Sequence, residues 1–258
     1  MDQGTRPEQS PISGVVVVLL VDFLASKKSW GWMKLAQGAS NLKNASGLLF
    51  SKVMGSGHDG GFGLRPSSTH QGLVLLFDTL VNAQAFLDSD IAVQYKQHAR
   101  ECWSSTLVID SSRGEWNGTS WASTDLAKDG LTGLSKDTTL VATLTRASIR
   151  PASALAFWRY APQAQADLTN ASGCMLAMGL GEAPLVRQCT FSVWRDTQSM
   201  LRYAQGGAHR TAIQAAYKHT FFSESMFVRM RVLSMAGVWK GVYYPHQPVT
   251  TPLEAAHA

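Results

Sequence analysis

Val15 to Phe23 is an aliphatic run broken only by Asp22, the pattern of a strand covered on both faces. The period then changes. Ser26 is placed to cap a helix from about Lys28 to Lys43, in which Trp32, Leu35, Ala36, Ala39 and Leu42 keep helical spacing, and Gly47 ends the turn after it. Leu48 to Met54 predicts a second strand, and Gln71 to Asp78 a third beyond a glycine-rich loop. A helical stretch from about Asn82 to Glu101, broken near Asp88 to Asp90, leads to a fourth strand at Ser105 to Ile109. The same order then recurs. Leu140 to Ile149 predicts a strand and Pro151 opens a helix, as a first-turn proline does. Strands follow at Met175 to Leu180, Gln188 to Trp194 and Met226 to Val232, with a helix from about His209 to His219 before the last.

Individual residues repeat as well. Asn44-Ala45-Ser46-Gly47 returns as Asn170-Ala171-Ser172-Gly173, and at the same shift of 126 positions Trp32 falls on Trp158, Leu42 on Leu168 and Gly55 on Gly181. Farther along, Phe77 answers Trp194, Tyr95-Lys96 answers Tyr217-Lys218, Glu101 answers Glu224, and Trp116 and Gly118 answer Trp239 and Gly241. A β-α-β-β-α-β order is the ferredoxin-like unit, an antiparallel sheet with two helices on one face. One such unit leaves its other sheet face bare. The expected fold is therefore α+β: tandem duplicated ferredoxin-like units packed as an α/β barrel, with a cavity between sheet and helices. The expected boundaries are a disordered tail at 1–12, a first half at 13–116, a Gly-, Ser- and Thr-rich linker at 117–138, a second half at 139–242 and a C-terminal tail at 243–258.

Composition narrows the function. With 45% hydrophobic and only 16% charged residues the chain is globular, and eight Trp with ten Phe point to a large apolar pocket. The net charge of +5 is scattered, with no basic stripe of the kind nucleic-acid binders carry, so no nucleic-acid partner is expected. Attraction to an anionic membrane surface stays open. The run from Val15 to Val21 is far short of the roughly 20 residues of a membrane-spanning helix, and the first residues lack the basic region and cleavage site of a signal peptide. Three widely spaced cysteines form neither a disulfide framework nor a zinc pattern, which points to the cytoplasm.

The loop from Gly55 to Gly60 spells the dinucleotide-binding pattern, but Gly61-Phe62-Gly63-Leu64-Arg65-Pro66 forbids the helix that pattern needs. It is either a plain connection between strands or a lid with Phe62 and Arg65 facing inward. None of the seven histidines has metal-cage spacing, and no nucleophile elbow occurs, so zinc chemistry and hydrolysis lose support. His209 shares a helical stripe with Ala212, Ile213, Ala216 and Tyr217 and is predicted to point inward. Such a residue is either a packed core histidine or a neutral imidazole able to hold heme iron. His219, off the stripe, is the reserve candidate.

Several separated segments resemble one family. Thr145-Arg146-Ala147-Ser148-Ile149-Arg150-Pro151, Gly179-Leu180-Gly181-Glu182-Ala183-Pro184-Leu185, Gln188 to Trp194 and Phe222 to Phe227 are similar to spheroidene monooxygenases of bacterial carotenoid biosynthesis, as are Gly55-Ser56-Gly57, Gly61-Phe62 and Arg65-Pro66. The resemblance covers about residues 14 to 242. It implies an enzyme that uses molecular oxygen to place a keto group in an acyclic carotenoid, converting spheroidene to spheroidenone. Two hydroxylations of one carbon would give a geminal diol that loses water.

The resemblance also implies heme iron and a fold similar to the dimeric α/β-barrel group, which includes aldoxime dehydratases and chlorite dismutases. By that likeness the iron is held from a helix of the second half, where His209 fits. Oxygenating an unactivated carbon needs a cofactor, and no flavin or nicotinamide fingerprint competes with heme. Electrons then come from an external donor. Arg65, Arg146 and Arg150 are candidates to pair with heme propionates or steady the oxygen, or else are structural. Phe62, Phe191, Trp194, Met200 and Tyr203 either line a polyene tunnel or pack in the core. A water-insoluble substrate implies peripheral membrane contact. Two other readings remain: a heme lyase or dehydratase of the aldoxime dehydratase type, and a non-catalytic module that binds apolar ligands.

Overall fold

The computed structural model describes residues 10–128, 131, 140–183 and 185–245. Ten strands form one antiparallel sheet: β1 (Val15–Phe23), β2 (Leu48–Gly57), β3 (Pro66–Phe77), β4 (Ala99–Trp116), β5 (Thr119–Ser120), β6 (Val141–Ile149), β7 (Cys174–Ala183), β8 (Arg187–Trp194), β9 (Phe222–Trp239) and β10 (Val242–Tyr244). Eight of them run in the spatial order β9-β6-β8-β7-β2-β3-β1-β4, and β4 pairs back onto β9 to close a barrel. The two seams differ. β2 and β7 meet at a single pair, Gly55 with Gly181, whereas β4 and β9 pair from Trp103–Gly237 to Gly114–Met226. Each half supplies its four strands in the same relative order, with its helices outside: α1 (Lys28–Gln37), α2 (Leu80–Leu87) and α3 (Asp90–His98) in the first, α4 (Ala154–Thr169), α5 (Thr197–Gln205) and α6 (Gly207–Lys218) in the second.

Strand parity explains the core. Val16, Val18 and Leu20 point into the barrel, where they meet Val74, Leu76, Trp103, Leu144, Phe191, Val193, Val228 and Met230. The lumen is thus filled with side chains, each contributing about 1.5–3 kcal/mol on burial. Val15, Val17, Leu19 and Val21 point outward instead and pack with Leu73, Leu75 and Phe77 beneath the first-half helices.

The halves also cap one another. Asn117-Gly118 and Lys240-Gly241 form tight turns with positive φ at all four residues. A Glu224 oxygen accepts from the Gly118 N–H at 2.8 Å, while Glu101 accepts from Lys240 and Gly241 at 2.7 and 2.9 Å. Residues that match in the repeat therefore perform the same task across the β4–β9 seam.

Several sequence expectations shift. β4 and β9 extend well beyond the apolar runs at Ser105–Ile109 and Met226–Val232, because pairing with each other satisfies their backbone groups even where side chains turn polar. The first helix stops at Gln37, where Gly38 adopts a φ of 55°, and a 3₁₀ segment continues to Leu42. Ser26 lies inside a short 3₁₀ turn and caps nothing, whereas Thr79, Ser89 and Asp196 cap α2, α3 and α5. The stretch read as a linker from residue 117 opens as a hairpin. Trp121 is buried in the barrel core, and Thr124 bonds to Gly14 and Ile109. Residues 129–130 and 132–139 of that stretch lie outside the described residues, as do 1–9 and 246–258. At the other end Tyr244 is buried, with its hydroxyl donating to the Met175 carbonyl at 2.8 Å, so packing continues past residue 242. Among the described residues no helix is long and apolar enough to cross a membrane.

Candidate functional site

The two halves treat the outer face of the sheet differently. In the first half Val17, Leu19, Val53, Leu73 and Leu75 fill it. The matching second-half positions are Thr143, Thr145, Gly179, Thr190 and Ser192. Small and hydroxylated residues thus replace branched aliphatics, and they lie together: Gly179 pairs with Thr190, Thr190 with Thr145, and Thr145 with Phe227, in one row across β7, β8, β6 and β9. The helix above has moved accordingly. α3 packs on β1 and β4, but α6 packs mainly on α4 and α5. Tyr95 of α3 is 3% exposed against Phe23 and Trp30, while its counterpart Tyr217 of α6 is 76% exposed. Thr145 sits on a strand flanked on both sides, on the helix-bearing face, and is nevertheless exposed. A cleft between sheet and helices accounts for that.

Two apolar clusters pack between the second-half sheet and its helices. In one, Val141, Leu168, Trp194 and Met200 pack with Phe62, Ala177 and Tyr203. In the other, Ala215, Ala216 and Phe221 pack with Phe157 and Phe222. Phe62 reaches the first cluster because the loop after β2 crosses Gly179, where a Cβ atom would lie 2.4 Å from the Gly61 carbonyl oxygen and 2.8 Å from the Phe62 ring. Only a glycine admits so close a crossing.

His209 stands in the first turn of α6. Its Nδ1 is 3.1 Å from the Tyr203 hydroxyl, the two rings are 4.5 Å apart, and Tyr203 in turn packs on Trp194 at 5.3 Å. Burial holds the imidazole below its ordinary pKa of 6.5, so it is neutral near pH 7. When Nδ1 carries the proton and donates it to Tyr203, Nε2 keeps a free lone pair. Burial also raises the Tyr203 phenol, which stays protonated.

Phe62, Trp194, Met200, Tyr203 and His209 are brought together. Arg146 and Phe191 are not. Both point into the barrel lumen, on the opposite side of β6 and β8 from the cleft, because each is one residue out of phase with the outward positions. Arg65 and Arg150 lie exposed on loops. The stripe of α6 is also corrected: Ala215 and Ala216 turn inward, while Ile213 and Tyr217 face solvent because the helix leans on α4 rather than on the sheet. His219 is exposed at the end of α6, stacked on Phe221 at 5.5 Å. Sequence periodicity missed Thr145, which is exposed, its partly exposed partner Thr190, and Gly179, over which the Gly61–Phe62 loop crosses. Aligning the two copies and asking where apolar residues become small would have found them.

Arg146 has a different role. Its guanidinium is fully buried, bonds Glu224, Glu182 and Asn117, and lies 5.9 Å over the Trp116 ring. Glu182 also accepts from the Trp116 indole at 2.8 Å and from Lys52 at 3.0 Å. Burial alone would raise the Glu182 pKa, but these hydrogen bonds and the charges of Lys52 and Arg146 hold it below the usual carboxylate value. This network fastens one mouth of the barrel. The three cysteines are free, and burial pushes Cys102 up to about 12 and Cys174 to about 11, with Cys189 also raised, so none is a ready thiolate. Among the described residues no three His, Cys, Asp or Glu side chains converge as a metal site.

These features define a class: a closed antiparallel α+β barrel with helices on its outer face, whose second half leaves Thr145 exposed between sheet and helices. No protein-family model matches the chain. Spheroidene monooxygenase of Rubrivivax gelatinosus is 43% identical over 242 residues, spanning 93% of this chain and 90% of the relative. The spheroidene monooxygenase of Rhodobacter capsulatus is 31% identical over 222 residues, spanning 84% and 88%. The chain belongs to the spheroidene monooxygenase family. In fold it is similar to a solved aldoxime dehydratase, with a TM-score of 0.54 and 10% identity over 90% of this chain and 88% of that one, a likeness of architecture alone.

Proposed function

We propose that this chain is an oxygen-dependent carotenoid monooxygenase that introduces a keto group into an acyclic polyene of the spheroidene type, with heme held in the second-half cleft. Family membership supports the reaction, and the observation that carries the site is exposed Thr145 on a flanked strand beneath helices. The residues present fit heme. The paired threonines Thr190 and Thr145 offer a surface without bulky side chains beside the Phe62 loop, and His209 offers a neutral imidazole whose Nδ1 is already engaged by Tyr203. Heme bound there would supply the activation of molecular oxygen that no side chain provides. The chain's own contribution is positional: Tyr203, backed by buried Trp194, orients the ring of His209, while Phe62, Phe157 and Phe222 exclude water and hold a polyene by apolar contact. Electrons come from a separate donor. We further infer a tandem duplication of a ferredoxin-like unit, supported by the repeated strand order and by Glu101 and Glu224 capping each other's turns.

The test is expression in cells that make spheroidene, with and without air, beside a His209→Ala variant. A ketocarotenoid formed only with air, and lost together with the Soret band in the variant, supports both parts. Unchanged heme content and product in the variant would remove His209 from the site.

A further inference from the structure

A patch beside the Phe221 cluster exposes apolar side chains that folding does not explain. Leu155, in the first turn of α4, is 83% exposed, and Leu185, in the β7–β8 turn, is 46% exposed. Leu185 also holds a φ of 68°, a left-handed conformation that costs a branched residue about 1–2 kcal/mol. A strained leucine displayed to solvent gains nothing from the protein's own core.

The patch is one surface. Trp158 donates its indole N–H to the Leu185 carbonyl at 3.0 Å, which ties helix to hairpin. The backbone of Ile149 donates to Val186 at 2.7 Å, and that of Arg150 to Phe221 at 2.8 Å, so the end of β6 and the Phe221 cluster belong to it too. Trp158 meets Phe157 at 5.4 Å and Phe157 meets Phe222 at 5.8 Å, an aromatic path from the rim to the Phe221 cluster. Its charge has one sign. Arg150, Arg159 and Arg187 are exposed around it, while the nearby carboxylates Glu182 and Glu224 are engaged by Lys52 and Arg146. Exposed aliphatics and a half-buried tryptophan ringed by arginines suit the boundary between lipid headgroups and acyl chains.

We propose that the rim of Leu155, Trp158 and Leu185, with its three arginines, docks on an anionic bilayer and passes a lipid-borne substrate toward the cleft. The second half of that statement rests on the carotenoid reading; the first does not. Flotation of the full chain with phosphatidylcholine vesicles, with or without phosphatidylglycerol, tests docking directly. The chain should float with the anionic vesicles, less so at high salt. Arg159→Gln and Arg187→Gln should each weaken that binding about five-fold. Leu155→Ser with Leu185→Asn should weaken it further, and Leu201→Ser, at an exposed leucine on α5, should leave it unchanged. Folding of each variant is checked by its thermal midpoint, which substitutions at exposed positions should not lower. Rim variants should make less ketone from vesicle-borne carotenoid but keep wild-type activity on detergent-dispersed carotenoid. No flotation by the wild-type chain, equal flotation by the leucine variant, or a self-association that the same leucine changes abolish would overturn the proposal. Flotation by a chain that makes no ketone under any delivery would sink the carotenoid reading and leave docking standing.

Discussion

The Tyr203 hydroxyl lies 3.1 Å from Nδ1 of His209, with the two ring centroids 4.5 Å apart and the planes tilted by 30°. That contact engages Nδ1 and leaves Nε2 as the ring nitrogen for another partner. Removing it by Tyr203→Phe should weaken heme affinity about 10- to 100-fold while leaving the fold intact, the usual effect of losing the partner of a ligating histidine. Heme titration followed at the Soret band measures it. His209→Ala should abolish the band, and wild-type affinity in both variants would exclude this pair.

Thr145 and Thr143 share one face of β6 but not one environment. Thr145 is exposed, whereas Thr143 is buried with its hydroxyl 2.8 Å from that of Ser192. Thr145→Phe should therefore fold with a normal thermal midpoint and yet fail to bind heme or form product, because the ring occupies the cleft. Thr143→Phe should cost about 1–3 kcal/mol of stability by overpacking, plus the lost hydrogen bond. Calorimetry beside a product assay separates the two.

Arg146 neutralises two carboxylates inside the barrel mouth. Arg146→Met should leave Glu182 and Glu224 without their buried cation and lower stability by about 3–5 kcal/mol in urea unfolding. Arg146→Lys should restore only part, since one ammonium cannot reproduce contacts to Glu182, Glu224 and Asn117 together. A loss of activity without a loss of stability would instead mark a direct role in the reaction.

Acid should destabilise the protein before its carboxylates titrate. Burial lowers the pKa of His70 below 6.5, despite the nearby Asp22, and burial lowers that of His209 as well. The unfolded chain therefore binds these protons more readily, so stability is intact above 6.5 and falls as pH drops through that value toward the lowered folded-state pKa. Glu182, also lowered, adds a further loss below its ordinary 4.5. Denaturation midpoints across this range should decline, and His70→Gln should flatten the upper part of the decline.

The sequence by itself determined the elements and their repetition. β1 and β8 fall where the hydrophobic runs predict, Pro151 opens the 3₁₀ turn that leads into α4, and Trp116 and Trp239 end matching strands, because apolar period and turn chemistry are local properties of the chain. His209, Tyr203 and Trp194 lie near one another because α5 and α6 follow β8 directly in the chain. Tertiary structure alone decided which side of each strand faces a filled lumen and which faces a cleft. Alternation marks two faces without saying which is inside a closed barrel, so Arg146 and Phe191 looked like site residues when they are part of the barrel interior. Closure of β4 onto β9, between residues more than a hundred positions apart, and the lean of α6 toward α4, across the whole β7–β8 hairpin and α5, settled that choice.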